Sequence, residues 1–294
     1  MRKRHSGREL WERMCEFVKE DDGLPSTPLG SWTADKLFHV CHYLALTTQA
    51  IAGNRRSFST LNYIDLFCGN GVCVADRFGK PQRFPGSALI AAGCEKPFDN
   101  LFISDLEKQS VRALESRIER LGTRSALHRD FGDANEVVRR VVTKLPRRSL
   151  NIAFLDPFSL VIDFATVETL TANNRVDLII LFPDAMDIVR NVDAYYYPGK
   201  SKNLHRVLGK EFDWRVEWDQ LQNREGPKVR DFFVNLYLKR IRTLGHRFLG
   251  TKEIRTSSGP IYKLVYASKS DLGLKFWNIA ANEDLDGTRS LFTP

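Results

Sequence analysis

No stretch of about 18 apolar residues free of charge occurs in this 294-residue chain, so it holds no candidate helix for crossing a membrane. The five cysteines, Cys15, Cys41, Cys68, Cys73 and Cys94, form no CxxC pair. An odd, scattered set speaks against a disulfide framework and a zinc knuckle, and a reducing, cytoplasmic setting is expected. The opening MRKRHSGRELWERM turns charged and helical instead of entering an apolar run with a small-residue cleavage site, so no signal peptide is expected. Neither a GxxxxGK[ST] phosphate loop nor an internal repeat is found. His39 and His42 share a metal-site spacing, but no further ligand cluster stands nearby, so no metal site is expected.

What the chain does have is 44 Lys+Arg against 36 Asp+Glu, a formal net charge of +8. Residues Lys200 to Arg255 carry 14 of those cations and 7 acids, which leaves +1 for the other 238 residues. A basic segment on a nearly neutral body is what binding to a polyanion requires. A solvated mixed-charge surface is the plainer reading, since acids are interleaved among the cations.

Residues Arg8 to Lys19 read as an amphipathic helix, DDGLPSTPLGSW as a loop, and Thr33 as the cap of a second helix ending at Gly53. From Leu61 onward short apolar runs alternate with helical patterns. LNYIDLF, NLFISDL, SALHRD, LNIAFLDPF and VDLIILFP are separated by helices such as SVRALESRIERLG and ANEVVRRVVTKL. Apolar strands between helices predict a doubly wound, mostly parallel α/β sheet. After Pro183 comes a basic, aromatic-rich stretch, then a helix and two β-like runs joined by SSGP, which predicts an antiparallel hairpin at the sheet edge. The organisation expected is an N-terminal helical extension (1–55), a core (56–192), a basic insertion (193–228), and a C-terminal helix with a hairpin that completes the core (229–294).

The first strand runs into Asp65-Leu66-Phe67-Cys68-Gly69-Asn70-Gly71. Glycines at a strand's carboxyl end allow a ligand to approach the backbone. A dinucleotide fingerprint would need a third glycine where Val74 stands, which disfavours a nicotinamide cofactor. Asp105 closes the next strand, where an acid can accept from ribose hydroxyls, and Asp133 follows the third. Each could equally be a helix cap or a turn residue. Asp105 follows Gly69 at a longer spacing than usual, and an inserted loop at 74–87 accounts for it. Asp156-Pro157-Phe158-Ser159 ends the fourth strand. Its carboxylate and a backbone carbonyl can hold an exocyclic amine while the aromatic ring stacks on the base. Beyond the fifth strand Asp187, Arg190 and Asn191 are candidates for base or phosphate contact, or Asp187 and Arg190 form a local ion pair. Tyr195 to Tyr197, Trp214 and Trp218 lie among cations, a mixture that suits single-stranded nucleic acid or a small auxiliary core.

YIDLFCGNG, GSALIA, ISDLE, GDANE, LDPFS and VDLIILFP together resemble the class I S-adenosylmethionine-dependent methyltransferase pattern. More narrowly, with Lys36, DAMDIVRN and IYKLVYASKSDLGLKFW added, the chain resembles the three-Cys-motif partner proteins. The resemblance implies a Rossmann-like, seven-stranded fold with S-adenosylmethionine at Asp65, Phe67, Gly69, Gly71, Asp105 and Asp133. It implies a transfer centre at Asp156, Pro157 and Phe158, acting on an exocyclic amine of a base in RNA or DNA. The alternative it implies is a catalytically silent partner of nucleic acid or of a three-cysteine protein resembling radical S-adenosylmethionine enzymes. The DPF turn departs from the [DNS]PP[YFW] turn of adenine and cytosine amino-methyltransferases and is closer to that of tRNA guanine N2-methyltransferases, which leaves the target base open.

Overall fold

A computed structural model describes residues 7–52, 58–77 and 79–287. Helix α1 (Gly7–Phe17) leads through a strap containing the two-residue strand β1 (Thr27–Pro28) to α2 (Trp32–Ala52). The expected end of α2 at Gly53 lies outside the described residues. Strand β2 (Thr60–Asp65) is followed by the hairpin β3 (Val72–Arg77) and β4 (Lys80–Pro85), then α3 (Ser87–Ala92). The alternation continues with β5 (Asn100–Asp105), α4 (Lys108–Leu121), β6 (Ala126–Phe131), α5 (Ala134–Lys144), β7 (Ser149–Leu155), α6 (Phe164–Thr171) and β8 (Arg175–Phe182). Two π-helical turns, Asp184–Ile188 and Val192–Tyr196, flank the short α7 (Val189–Asn191). Then come α8 (Asn203–Leu208), α9 (Trp214–Asp219), α10 (Gly226–Thr243), β9 (Phe248–Thr256), β10 (Gly259–Ser268) and α11 (Asp271–Ala281).

Seven strands form one sheet in the order β6-β5-β2-β7-β8-β10-β9, with β10 antiparallel to both its neighbours and the β6-to-β8 ladders parallel. Side chains alternate across each strand, so the sheet feeds two apolar layers. Tyr63, Ile152, Phe154, Ile179 and Leu181 face the layer of α1 to α4 and α11, while Ile64, Leu155, Leu178, Ile180 and Phe182 face that of α5, α6 and α10. Register is pinned by a buried amide ladder. Asn100 Nδ2 donates to Asn62 Oδ1 and Asn62 Nδ2 to Asn151 Oδ1, each at 2.8 Å. In a parallel sheet a slip would leave these amides unpaired in an apolar interior.

Three elements differ from the sequence expectation. The inserted stretch after the glycine turn is the hairpin β3–β4, with β1 added in parallel as a third strand. The segment DLGLKFWNIAA forms a helix, α11, which buries Trp277 and packs back on α2. Trp214 and Trp218 are fully buried against Phe233 within the layer of α10, so they cannot stack on bases.

Candidate active site

The strand order reverses direction between β5 and β7 on either side of β2, and the carboxyl ends of β2, β5 and β7 carry Asp65, Asp105 and Asp156 around this switch point. Gly69 and Gly71 both adopt positive φ, +55° and +89°. A Cβ on Gly69 would meet nothing within 4 Å, so its face is open; one on Gly71 would meet Leu114 Cδ1 at 2.7 Å. The turn is held from below. Asp105 Oδ2 accepts from the Gly69 amide at 2.9 Å and its Oδ1 from the Glu107 amide at 3.0 Å. Leu106, beside it, is 70% exposed.

Asp65 is fully buried, and its carboxylate accepts from the Phe67 amide, Tyr63 Oη and Ser87 Oγ. Burial pushes its carboxyl up to about 7, against the pull of those three donors. Its contribution is to hold the glycine turn and the start of α3 in place, since its side chain has no solvent face to offer a ligand. Asp133 caps α5, accepting from the Asn135 amide at 2.7 Å.

Asp156 receives a partner from the other end of the chain. Lys36, buried on α2, donates from Nζ to Asp156 Oδ2 at 2.6 Å, with side-chain exposures of 7% and 18%. Asp156 Oδ1 is buried and has no hydrogen-bond partner among the described residues. Pro157 is buried, whereas Phe158 is 78% exposed. Cys73, on β3, lies in the field of Lys36 and Asp156, and burial pushes its thiol up to about 11.

Asp187 does not pair with Arg190. Its carboxylate accepts from Asn191 Nδ2, Tyr196 Oη and the Leu160 amide, so it braces the loop after β7 against the π-helical segment and occupies Asn191 as well. Arg190 is exposed, as are Tyr195 and Tyr197. Much of the basic segment is consumed internally: Arg206 pairs with Asp163, Arg230 with Asp184 and Glu253, and Lys239 with Glu217, while Arg240 donates to the Leu208 carbonyl.

Sequence reasoning passed over Arg117. This fully buried side chain on α4 donates to Asp22 and to the carbonyls of Leu24, Pro25 and Asn70, clamping the strap before β1 onto the glycine turn. A lone arginine on a charged helix face carries no sequence signal of such a role.

No protein-family model matches the chain, and none of the curated proteins matches it. Among solved structures it is similar in outline to a protein from Legionella pneumophila (10% identity, 82% of this chain and 88% of that one, TM-score 0.49). It is also similar to the O-methyltransferase TomG from Streptomyces achromogenes (10%, 92% and 100%, 0.40) and to an rRNA methylase from Streptococcus thermophilus (12%, 76% and 95%, 0.37). The fold itself is a Rossmann-like, doubly wound sheet, with seven mostly parallel strands and the antiparallel β10 inserted before the edge strand β9. Those likenesses concern outline alone, and the chemistry of the site rests on the chain's own strand order and side chains.

Proposed function

We propose that this chain binds S-adenosylmethionine across the glycine turn and methylates an exocyclic amine of a nucleic-acid base. The observation that carries the reading is the Lys36–Asp156 pair at the end of β7, with Asp156 Oδ1 buried and without a partner. Lys36 takes one carboxylate oxygen, and the open oxygen is an acceptor for one N–H of an amine. Held so, the nitrogen keeps its lone pair free for attack, and the exposed Phe158 ring supplies a stacking face. An aromatic amine needs this orientation and charge stabilisation more than a strong base.

The residues at the switch point suit the cofactor. The open face of Gly69 admits a ligand against the backbone, Asp105 keeps acceptor capacity for ribose hydroxyls, and Leu106 offers an exposed apolar surface to a purine. When bound, S-adenosylmethionine supplies an electrophilic methyl group. Asp65 and Asp133 support the turn and α5 around it.

Calorimetric titration with S-adenosylmethionine tests the first half: wild type binds and Asp105→Ala binds at least tenfold more weakly, and no binding by wild type at millimolar ligand would sink the reading. For the second half, Asp156→Ala is expected to lower kcat by about two to three orders of magnitude, as loss of a charge-stabilising group does, with cofactor affinity unchanged. Equal activity in that variant refutes the role of the carboxylate.

A second reading, a silent methyltransferase-like chain that docks on a three-cysteine protein, draws on the outer face of α11, where Leu272 and Ile279 are exposed by 50% and 51% among Asp271, Lys275 and Asn278. It predicts that Asp156→Ala leaves the chain's cellular role intact while Leu272→Glu abolishes it.

A further inference from the structure

Two aromatic side chains, Trp32 and Tyr262 of the IYKLVYASK run, stand near the Lys36–Asp156 pair. Trp32 lies one helical turn before Lys36 on α2, so the two share a face of that helix. Tyr262 arrives from the opposite direction in the chain. It precedes Lys263, whose register partner is Phe182, the last residue of β8, so Tyr262 sits at the carboxyl edge of the sheet. A register shift between Pro260 and Tyr262 breaks the β9–β10 ladder at this point, and such bulges re-aim side chains beside sites. The Trp32 and Tyr262 rings meet with centroids 6.5 Å apart and planes tilted by 55°. Both are half-buried, so each has a face left to offer. The burial of Tyr262 raises its phenol, and the charges of Lys36 and Asp156 both act on it.

The geometry points to Trp32 and Tyr262 as an aromatic wall beside the Asp156 carboxylate which, with Phe158, holds the acceptor as a single planar ring, a nucleobase swung out of its stack. This rests on the methyltransferase reading above and specifies how its acceptor is presented. A ring gripped on its faces while an edge amine meets a buried oxygen cannot remain stacked between neighbours. Single strands, which have no pairing to break, are therefore the favoured form of the nucleic acid.

The molecule carries its own reporter. Of its five tryptophans Trp32 is half-buried, whereas Trp11, Trp214, Trp218 and Trp277 are exposed by 4% or less. The experiment uses the full chain with S-adenosylhomocysteine and a mixed-sequence single-stranded RNA or DNA, free or annealed to its complement. Tryptophan fluorescence and, with labelled S-adenosylmethionine, methyl transfer are the two readouts. The single strand is expected to quench fluorescence and the duplex to quench it far less, with the quench absent in Trp32→Phe. Tyr262→Ala is expected to raise the acceptor KM about tenfold or more, the loss of one base–aromatic stack, with S-adenosylhomocysteine affinity unchanged and Tyr262→Phe restoring the wild-type value. A wild type that methylates the strand without quenching, or a Tyr262→Ala with unchanged KM, overturns the wall and leaves the activity standing. A wild type that neither binds S-adenosylhomocysteine nor transfers methyl overturns the activity and the wall together.

Discussion

His39 illustrates how a residue's surroundings, rather than its type, set its chemistry. Its ring is buried on α2, with Nδ1 3.0 Å from the Ala280 carbonyl and Nε2 3.6 Å from Asp284. Burial, helped by Lys252, lowers its pKa from 6.5 to about 4, outweighing the carbonyl and Asp284. The folded chain therefore keeps the ring neutral where the unfolded chain protonates it, so stability is full above pH 6.5 and falls as the pH drops toward 4. The loss expected is about 3 kcal/mol, and urea midpoints at the two pH values should converge in His39→Gln. The spacing of His39 and His42 was legible; that both rings are buried on α2 was not. Lys36 shows the opposite: its match to a family pattern could be read, but not that 120 residues on it would find the carboxylate of Asp156.

Among the elements, the glycine turn depends on a part of the chain far from it in sequence. Arg117 joins Asp22 and the strap to the Asn70 carbonyl, and it holds the Asp22 carboxyl well below the usual carboxylate range. Asp22 keeps Arg120 and Arg83, but Arg117→Met strands the Leu24, Pro25 and Asn70 carbonyls and is expected to cost about 2 kcal/mol in a denaturant titration. It should also weaken S-adenosylmethionine binding, because the turn loses its anchor. The amide ladder makes a second test. Asn62→Ala strands the Asn100 amide donor and leaves the Asn151 oxygen with Ser149 alone, a loss of about 2 kcal/mol by the same measurement. Helix and strand alternation from Leu61 to Pro183 was readable because both faces of a covered sheet must be apolar. The hairpin β3–β4 was not, because VCVADR and KPQRFP are short and stabilised by β1 and the strap.

At the scale of the whole molecule, the excess of eight positive charges is partly spoken for. Arg206, Arg230, Lys239 and Arg240 are tied to internal acceptors, which leaves Lys200, Lys202, Lys210, Lys228, Arg242 and Arg247, with Arg190, among the exposed cations for phosphate. Binding of a single strand should therefore weaken with salt, at about 0.7 in log K per log salt for each phosphate neutralised. The slope should be that of a few contacts, and Lys200→Glu with Lys202→Glu should flatten it further; an unchanged slope would remove these lysines from the interface. By itself the sequence determined the sheet, the glycine turn and the acids at the strand ends, because periodicity, glycine and strand boundaries are local properties. Only the tertiary structure decided how deeply each of those acids is buried and what it is bonded to. Burial under distant segments turned Asp65 inward, and a contact across 120 residues brought Lys36 to Asp156, which no local pattern encodes.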